Sequence, residues 1–213
     1  MASLQRGFLT GDEIAARKPF AEGTYDSDHL SSRGAQGRIM YDLRLGSEVY
    51  LSTKDVPLEL TEENPYLIIK PGEFALLTTE EVLMMPNDLV GFLSLRFTWA
   101  SRGLINISGF HVDPGYQGKI VFSVYNAGPN DVTMRFKDHV FMVFFAHLTQ
   151  PVQKPYGPGY AHIPLDKIDA VKGVPLSLRD LHNRVTTLET LVKLLVALMV
   201  SIVGALVVFF VKP

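Results

Sequence analysis

At 213 residues, with 47% hydrophobic and 20% charged side chains, the chain has the length and composition for one packed domain plus an appendage. A formal net charge of −2 gives no bulk electrostatic footprint for nucleic acid, and no nucleic-acid partner is expected. With no cysteine, disulfides, thiolate metal sites and thiol nucleophiles are excluded.

The N-terminal residues MASLQRGFLTGDEI contain no apolar run, so no signal peptide is read. Within residues 1–20 a short helix is predicted, with Thr10 as N-cap and Glu13 at the third helical position in the reciprocal capping-box pattern. Residues 26–37 are rich in Ser and Gly and read as an exposed loop. Short apolar runs then recur at 38–45, 48–52, 66–70, 74–78, 89–95, 104–108, 119–125, 131–135 and 139–147. Turn signals punctuate them, such as Pro71-Gly72, Pro86-Asn87-Asp88 and Gly128-Pro129-Asn130. Many short strands and few helices predict an all-β sandwich or barrel.

Residues 149–177 carry Pro151, Pro155, Pro158, Pro164 and Pro175 and read as a tail or linker without strong secondary structure. Beyond it, Leu178, Leu181, Val185, Leu188, Val192, Leu195, Met199 and Ile202 fall at alternating steps of three and four, an a/d heptad pattern. The run Arg184-Val185-Thr186-Thr187-Leu188-Glu189 is similar to an Arg-h-x-x-h-Glu pattern of three-stranded coiled coils, whereas Val at a with Leu at d favours two strands. Residues 194–211 are apolar except for Ser201 and Gly204; as a helix they span about 27 Å, the thickness of a bilayer's hydrocarbon core. The alternative is a buried C-terminal core helix, though such a helix is rarely apolar on every face. Lys172, Arg179, Arg184 and Lys193 precede the run and Lys212 follows it, so the positive-inside tendency places the preceding domain in the cytoplasm, tail-anchored by a single pass.

Residues 93–126 organise the chain. Arg96, Thr98, Ala100, Gly103 and Leu104 form one block; Val112-Asp113-Pro114-Gly115-Tyr116, Gly118 and Ile120 a second; Tyr125, Asn126 and Gly128 a third. Tyr41-Asp42-Leu43-Arg44-Leu45-Gly46 lies upstream and Pro155-Tyr156 downstream. In this order and spacing, residues 8–160 resemble the dCTP deaminase/dUTPase family. The resemblance implies a mainly β fold, a dUTPase-like β-barrel or distorted jelly roll, which in that family is typically a homotrimer. The chain then parses as a deaminase/dUTPase-like domain (1–160), a linker (161–177), a coiled-coil stalk (178–193) and a transmembrane helix (194–211).

The resemblance also implies a site for a pyrimidine deoxynucleotide. Arg96 and Thr98 match phosphate-contacting positions, where a guanidinium and a hydroxyl are suited to bind. Asp113 matches the carboxylate facing the deoxyribose and, in dUTPases, the general base that activates water, with Mg on the phosphates. Tyr156 matches an aromatic beside the nucleotide. Three positions depart: Phe97 replaces the first Ser of the family's Arg-Ser-Ser, Ser101 replaces its Arg, and Ser123 replaces the carboxylate that moves protons for the water attacking cytosine C4. A serine cannot shuttle that proton near neutral pH without a base beside it. From the residues alone, Asp113 reads equally as a turn residue, Arg96 as a structural ion pair and Ser123 as a small strand residue. The six histidines show no ligand spacing, so no protein-bound metal is expected. Three functional readings follow: a catalytically degenerate, membrane-anchored nucleotide-binding or scaffold module; an active dCTP deaminase or nucleotide hydrolase using Asp113, Arg102 or Asp42; and an oligomerising membrane protein with no ligand.

Overall fold

A computed structural model of the chain describes residues 7–31, 38–173 and 178–211. It divides into two compact units, Met1–Pro175 and Leu176–Pro213. The first opens with α1 (Gly11–Arg17), where Thr10 Oγ1 accepts the Glu13 amide while the Glu13 carboxylate accepts the Thr10 amide at 2.8 Å, the predicted capping box. The stretch predicted to be an exposed loop is ordered in its first part. Asp26 Oδ1 accepts the Asp28 amide, α2 (Asp28–Ser31) follows, and His29 and Leu30 are buried. Residues 32–37 lie outside the described residues.

Ten strands follow. They are β1 (Tyr41–Leu51), β2 (Leu58–Glu59), β3 (Tyr66–Ile69), β4 (Phe74–Met84), β5 (Leu89–Leu95), β6 (Leu104–Asn106), β7 (His111–Val112), β8 (Gln117–Asn126), β9 (Val132–Arg135) and β10 (His139–His147), with the one-turn helix α3 (Phe97–Ala100) between β5 and β6. All pairings are antiparallel, in the order β6-β8-β4-β1-β10-β5-β7, with β2 beside β1 and a separate β3-β9 ribbon.

The sheet curls because its two longest strands are bulged. The register of β1 shifts between Leu43 and Arg44 and between Leu45 and Val49, and that of β4 between Thr78 and Val82. Two separately predicted runs, 38–45 and 48–52, are therefore one strand bent at Gly46. A Cβ there would lie 2.6 Å from the Thr79 carbonyl oxygen, so the backbones cross where no side chain fits. Threonine hydroxyls replace the ladder bonds lost at the bulge: Thr78 Oγ1 donates to the Glu48 carbonyl and Thr79 Oγ1 accepts from the Ile120 amide. The predicted strand 104–108 stops at Asn106, whose Oδ1 accepts the Ser108 amide at 3.1 Å and turns the chain.

Strand alternation places Ile120, Phe122 and Val124 of β8 inward, and Phe122 stacks on Phe141 of β10 with ring centroids 3.4 Å apart. Tyr41 is fully buried in the same core and its phenol oxygen accepts the Asp26 amide. Burial first, and then the Glu81 carboxylate, push this phenol well above its ordinary value of 10.0. A raised phenol holds its proton longer folded than unfolded. Its contribution is therefore complete below the unfolded value and is lost as pH rises toward the folded one. We expect the urea midpoint of the β domain to fall as pH rises beyond about 10, with a shallower fall in Tyr41→Phe; a midpoint with the same slope in both proteins would refute this role for Tyr41.

The Pro/Gly-rich stretch expected to lack structure carries α4 (Leu165–Val171), which starts directly after Pro164, where a missing N–H costs nothing. Ile163 and Ile168 pack with Tyr50 and Leu76 in a second, smaller core on the outer face of the sheet. The second unit is a single helix, α5 (Leu178–Val211), so the predicted stalk and apolar run are continuous. Within it Leu181–Val207 is long and apolar enough to cross a membrane. Thr186, Thr187, Thr190 and Ser201 return their hydroxyls to the carbonyls four residues earlier.

Candidate functional site

The site forms at the corner between β7 and β8. β7 is two residues long and pairs with β5, Val112 opposite Gly91 and His111 opposite Phe92. The chain then turns at Asp113-Pro114-Gly115, closed by the Tyr116 amide donating to the Asp113 carbonyl at 3.2 Å. Gly115 has φ +82, and a Cβ there would lie 2.2 Å from Pro155 Cβ, so glycine is required on both conformational and packing grounds. This close approach seats Pro155 and Tyr156 on the turn, and the Tyr156 amide donates to the Pro114 carbonyl at 2.9 Å.

The chain continues as a strap along the start of β8. The Gly159 amide donates to the Gln117 carbonyl and the Lys119 amide to the Tyr160 carbonyl, each at 2.7 Å. Gly159 passes so near the Tyr116 ring that a Cβ would overlap it at 2.2 Å. Tyr116 is buried beneath, its hydroxyl donating to the Lys119 carbonyl and accepting the Tyr160 amide. Desolvation raises the Tyr116 phenol above its ordinary value, so it stays neutral. Its ring lies 5.7 Å from that of Tyr156, which is exposed.

Turn and strap together enclose a cavity of about 150 Å³ lined by His111, Asp113, Tyr116, Tyr156 and Tyr160, among others. Asp113 lines the cavity, and its Oδ1 lies 3.6 Å from His111 Nε2. Both side chains are close to half exposed. His111 was not among the residues singled out from sequence. The available signal was its position two residues before Asp113 on a strand, which puts both side chains on one face.

The structure thus brings Asp113 and Tyr156 together, but Arg96 and Thr98 do not line this cavity. Arg96 follows β5, and its Nη1 lies 2.5 Å from Oδ2 of Asp42, a buried carboxylate that also receives Arg38 Nη1 at 3.2 Å. His139 stands at the edge of this cluster, its ring 4.4 Å from that of His29; desolvation and then the neighbouring His29 lower its pKa. Thr98 is exposed on α3, and Phe97 beside it is 82% exposed. Ser101 caps α3, donating to the Thr98 carbonyl, and Arg102 lies over the Trp99 ring.

Ser123 is half-buried on β8, opposite Leu76 of β4, on the face that also carries Val121 of the cavity wall. Asn126 is fully buried and structural: its amide donates to the Ile69 and Asn130 carbonyls and its Oδ1 accepts the Gly128 amide, fixing the turn after β8. Among the described residues, no group of three or more His, Asp or Glu could hold a metal ion.

A curled antiparallel sheet with an Asp-Pro-Gly-Tyr corner defines the class of β protein, and sequence comparison makes the assignment specific. Residues 8–148 match the family described as dCTP deaminase-like, and the chain belongs to that family. It is 33% identical over 143 residues to the dCTP deaminase of Pyrococcus abyssi, a match covering 67% of this chain and 83% of the relative. It is 34% identical over 111 residues to the dUMP-forming dCTP deaminase of Methanothermobacter thermautotrophicus, covering 52% and 53% of the two chains. The crystal structure of the 2′-deoxycytidine 5′-triphosphate deaminase of Agrobacterium tumefaciens shares the fold at a TM-score of 0.54 and 15% identity. That match covers 67% of this chain and about half (49%) of the other.

Proposed function

We propose that this protein is a membrane-anchored member of the dCTP deaminase-like family that binds a pyrimidine deoxynucleotide without deaminating it. The observation that carries the reading is the carboxylate inventory at the corner. Among the described residues Asp113 is the one carboxylate lining the cavity, with its Oδ1 3.6 Å from His111 Nε2; at position 123, where the family resemblance calls for the proton-shuttling carboxylate, stands a serine. What remains suits recognition. Tyr116 and Tyr156 offer ring faces to a base, and Asp113 offers acceptors to a sugar hydroxyl. Phosphate groups would take Mg from solution, and Arg96 and Thr98 would serve a neighbouring protomer's ligand in a homotrimer.

The anchored reading is supported by α5, which has the length and apolarity for one span and returns its Ser201 hydroxyl to its own backbone. By the positive-inside tendency, the excess of Lys and Arg before the apolar run 194–211 supports a cytoplasmic β domain. The test is incubation of the full chain in detergent micelles with dCTP, dUTP and Mg, followed by calorimetry and product chromatography. Saturable binding with no conversion is expected. A uracil nucleotide formed from dCTP, or pyrophosphate released from either, overturns it.

The His111–Asp113 pair supports a second reading, hydrolysis of a nucleotide phosphoanhydride by water that the pair activates. Pyrophosphate release that disappears in both His111→Gln and Asp113→Asn would establish it.

A further inference from the structure

We infer that α5 carries an interface for a second copy of this chain: a seam from Leu181 to Ile202 that packs, parallel and in register, against the same seam of the partner. The inference concerns α5 alone and is independent of whether the β domain binds a nucleotide.

Continuous helix from Leu178 to Val211 puts the heptad positions in fixed places. Val185, Val192 and Met199 take the a positions, and Leu181, Leu188, Leu195 and Ile202 the d positions, all of them exposed along the helix. Between 181 and 193 every residue off this line except Leu191 is polar or charged. The apolar stripe is therefore no wider than a and d. A helix that packs on a globular core buries a broader face, whereas an a/d-only line is the seam along which like helices supercoil. From Leu195 onward the line runs without a break into the apolar segment. There burial from water no longer drives association, and close packing of the seam side chains takes over.

The opposite side of α5 needs no partner. Thr186, Thr187, Thr190 and Ser201 fall at b, c, f and c, and their hydroxyls donate to the carbonyls of His182, Asn183, Thr186 and Ala197 at 2.8–3.0 Å. Lys193 falls at b, on the same outer side. Charge complementarity then selects the occupant of the seam. Arg184 stands at g and Glu189 at e, both exposed beside the apolar line. In a parallel pair in register, g of one helix faces e five residues further along its neighbour, so Arg184 meets Glu189 of the partner subunit, and the exchange is repeated symmetrically. An antiparallel pair sets g against g and e against e, so these two charges do not meet. The seam is thus complementary, in shape and in charge, to itself.

The test is oxidative crosslinking of the full chain in detergent micelles with copper phenanthroline, using single cysteines in a protein that has none of its own. Leu181→Cys, Leu188→Cys and Leu195→Cys are expected to form covalent dimers at least about ten-fold faster than Thr186→Cys and Thr190→Cys on the outer side, because a disulfide needs Cα atoms within about 7 Å. Self-crosslinking at both Leu181 and Leu195 fixes the parallel register. Arg184→Glu is expected to slow the Leu188→Cys crosslink by about two- to five-fold, the worth of an exposed ion pair, and Arg184→Glu with Glu189→Arg to restore it. Equal rates on the seam and on the outer side would mean helices held close without a seam, and overturn the interface. A mixture in which Leu181→Cys bonds to Leu195→Cys, and neither bonds to itself, overturns the parallel register. A charge exchange that restores nothing overturns the role of Arg184 and Glu189. Absence of covalent dimer at every position leaves the seam to lipid or to a different protein, and overturns the inference.

Discussion

Arg44→Ala is expected to destabilise the β domain by about 3–5 kcal/mol, because it strands a buried carboxylate. The Glu81 side chain has no solvent exposure and accepts Arg44 Nε at 2.7 Å on one oxygen and the Arg44 amide at 2.9 Å on the other. The guanidinium also donates to the Thr24 carbonyl at 3.2 Å, tying the loop before α2 to the bulge in β4. With the side chain gone, Glu81 keeps one backbone donor and His29 Nδ1 at 3.6 Å, which do not compensate a full charge in the core. Removing both partners is a different experiment. Arg44→Met with Glu81→Leu replaces the pair by apolar groups and should recover most of the loss, as buried pairs often do when both charges leave together. Trp99 is the single tryptophan of the chain and is buried against the core, so its fluorescence reports unfolding of this domain without interference from α5. At about 2–4 °C per kcal/mol for a domain of this size, the single variant should lose roughly 10 °C. A loss below about 1 kcal/mol would mean that water reaches Glu81 and that the pair behaves as a surface ion pair.

The same cluster shows which features were legible in the sequence. The runs 119–125 and 139–147, which became β8 and β10, stood out because short stretches rich in β-branched and aromatic residues between turn signals read as strands. β1 was broken in two because Gly46 resembles a turn signal, whereas here glycine marks a crossing of two backbones at a bulge. α4 was missed because Pro158 and Pro164 read as breakers. Pro164 in fact precedes the first helical residue, and the burial of Ile163 and Ile168 supplies stability that seven residues could not hold alone.

Residues distant in sequence were paired in ways that no local pattern encodes. Glu81 meets Arg44 because β4 pairs with β1, and Arg96 meets Asp42 across β10, which pairs with both β1 and β5. At the site, the Asp113 turn and Tyr156 were legible as motifs, and glycine packing explains why they converge: Pro155 can rest on position 115 only if that residue has no side chain. The strap was not legible, since Gly157-Pro158-Gly159-Tyr160 has the composition of a linker and acquires its form from the free edge of β8.

On the proposed reading, Ser123→Glu is expected to raise dCTP deamination by at least about 100-fold over the native protein, the lower end of what a positioned acid–base group contributes. Water adding to cytosine C4 must lose a proton, and the departing nitrogen must gain one. A carboxylate can carry both transfers near neutral pH; a lone hydroxyl can carry neither. Position 123 lies on the outer face of β8, two residues along the strand from Val121 of the cavity wall. The neighbouring backbone is already fixed there, with the Ile107 amide donating to the Ser123 carbonyl at 2.9 Å, so the new side chain projects from a held strand. Gln at the same position supplies the shape without the titrating group and should give no gain. Ser123→Glu combined with Asp113→Ala should lose the gain through weakened binding, visible as a raised KM. The assay is conversion of dCTP to a uracil nucleotide, resolved by chromatography. If the native protein already converts dCTP and the glutamate adds nothing, the proton is being moved by another group, and the His111–Asp113 pair beside the cavity becomes the candidate.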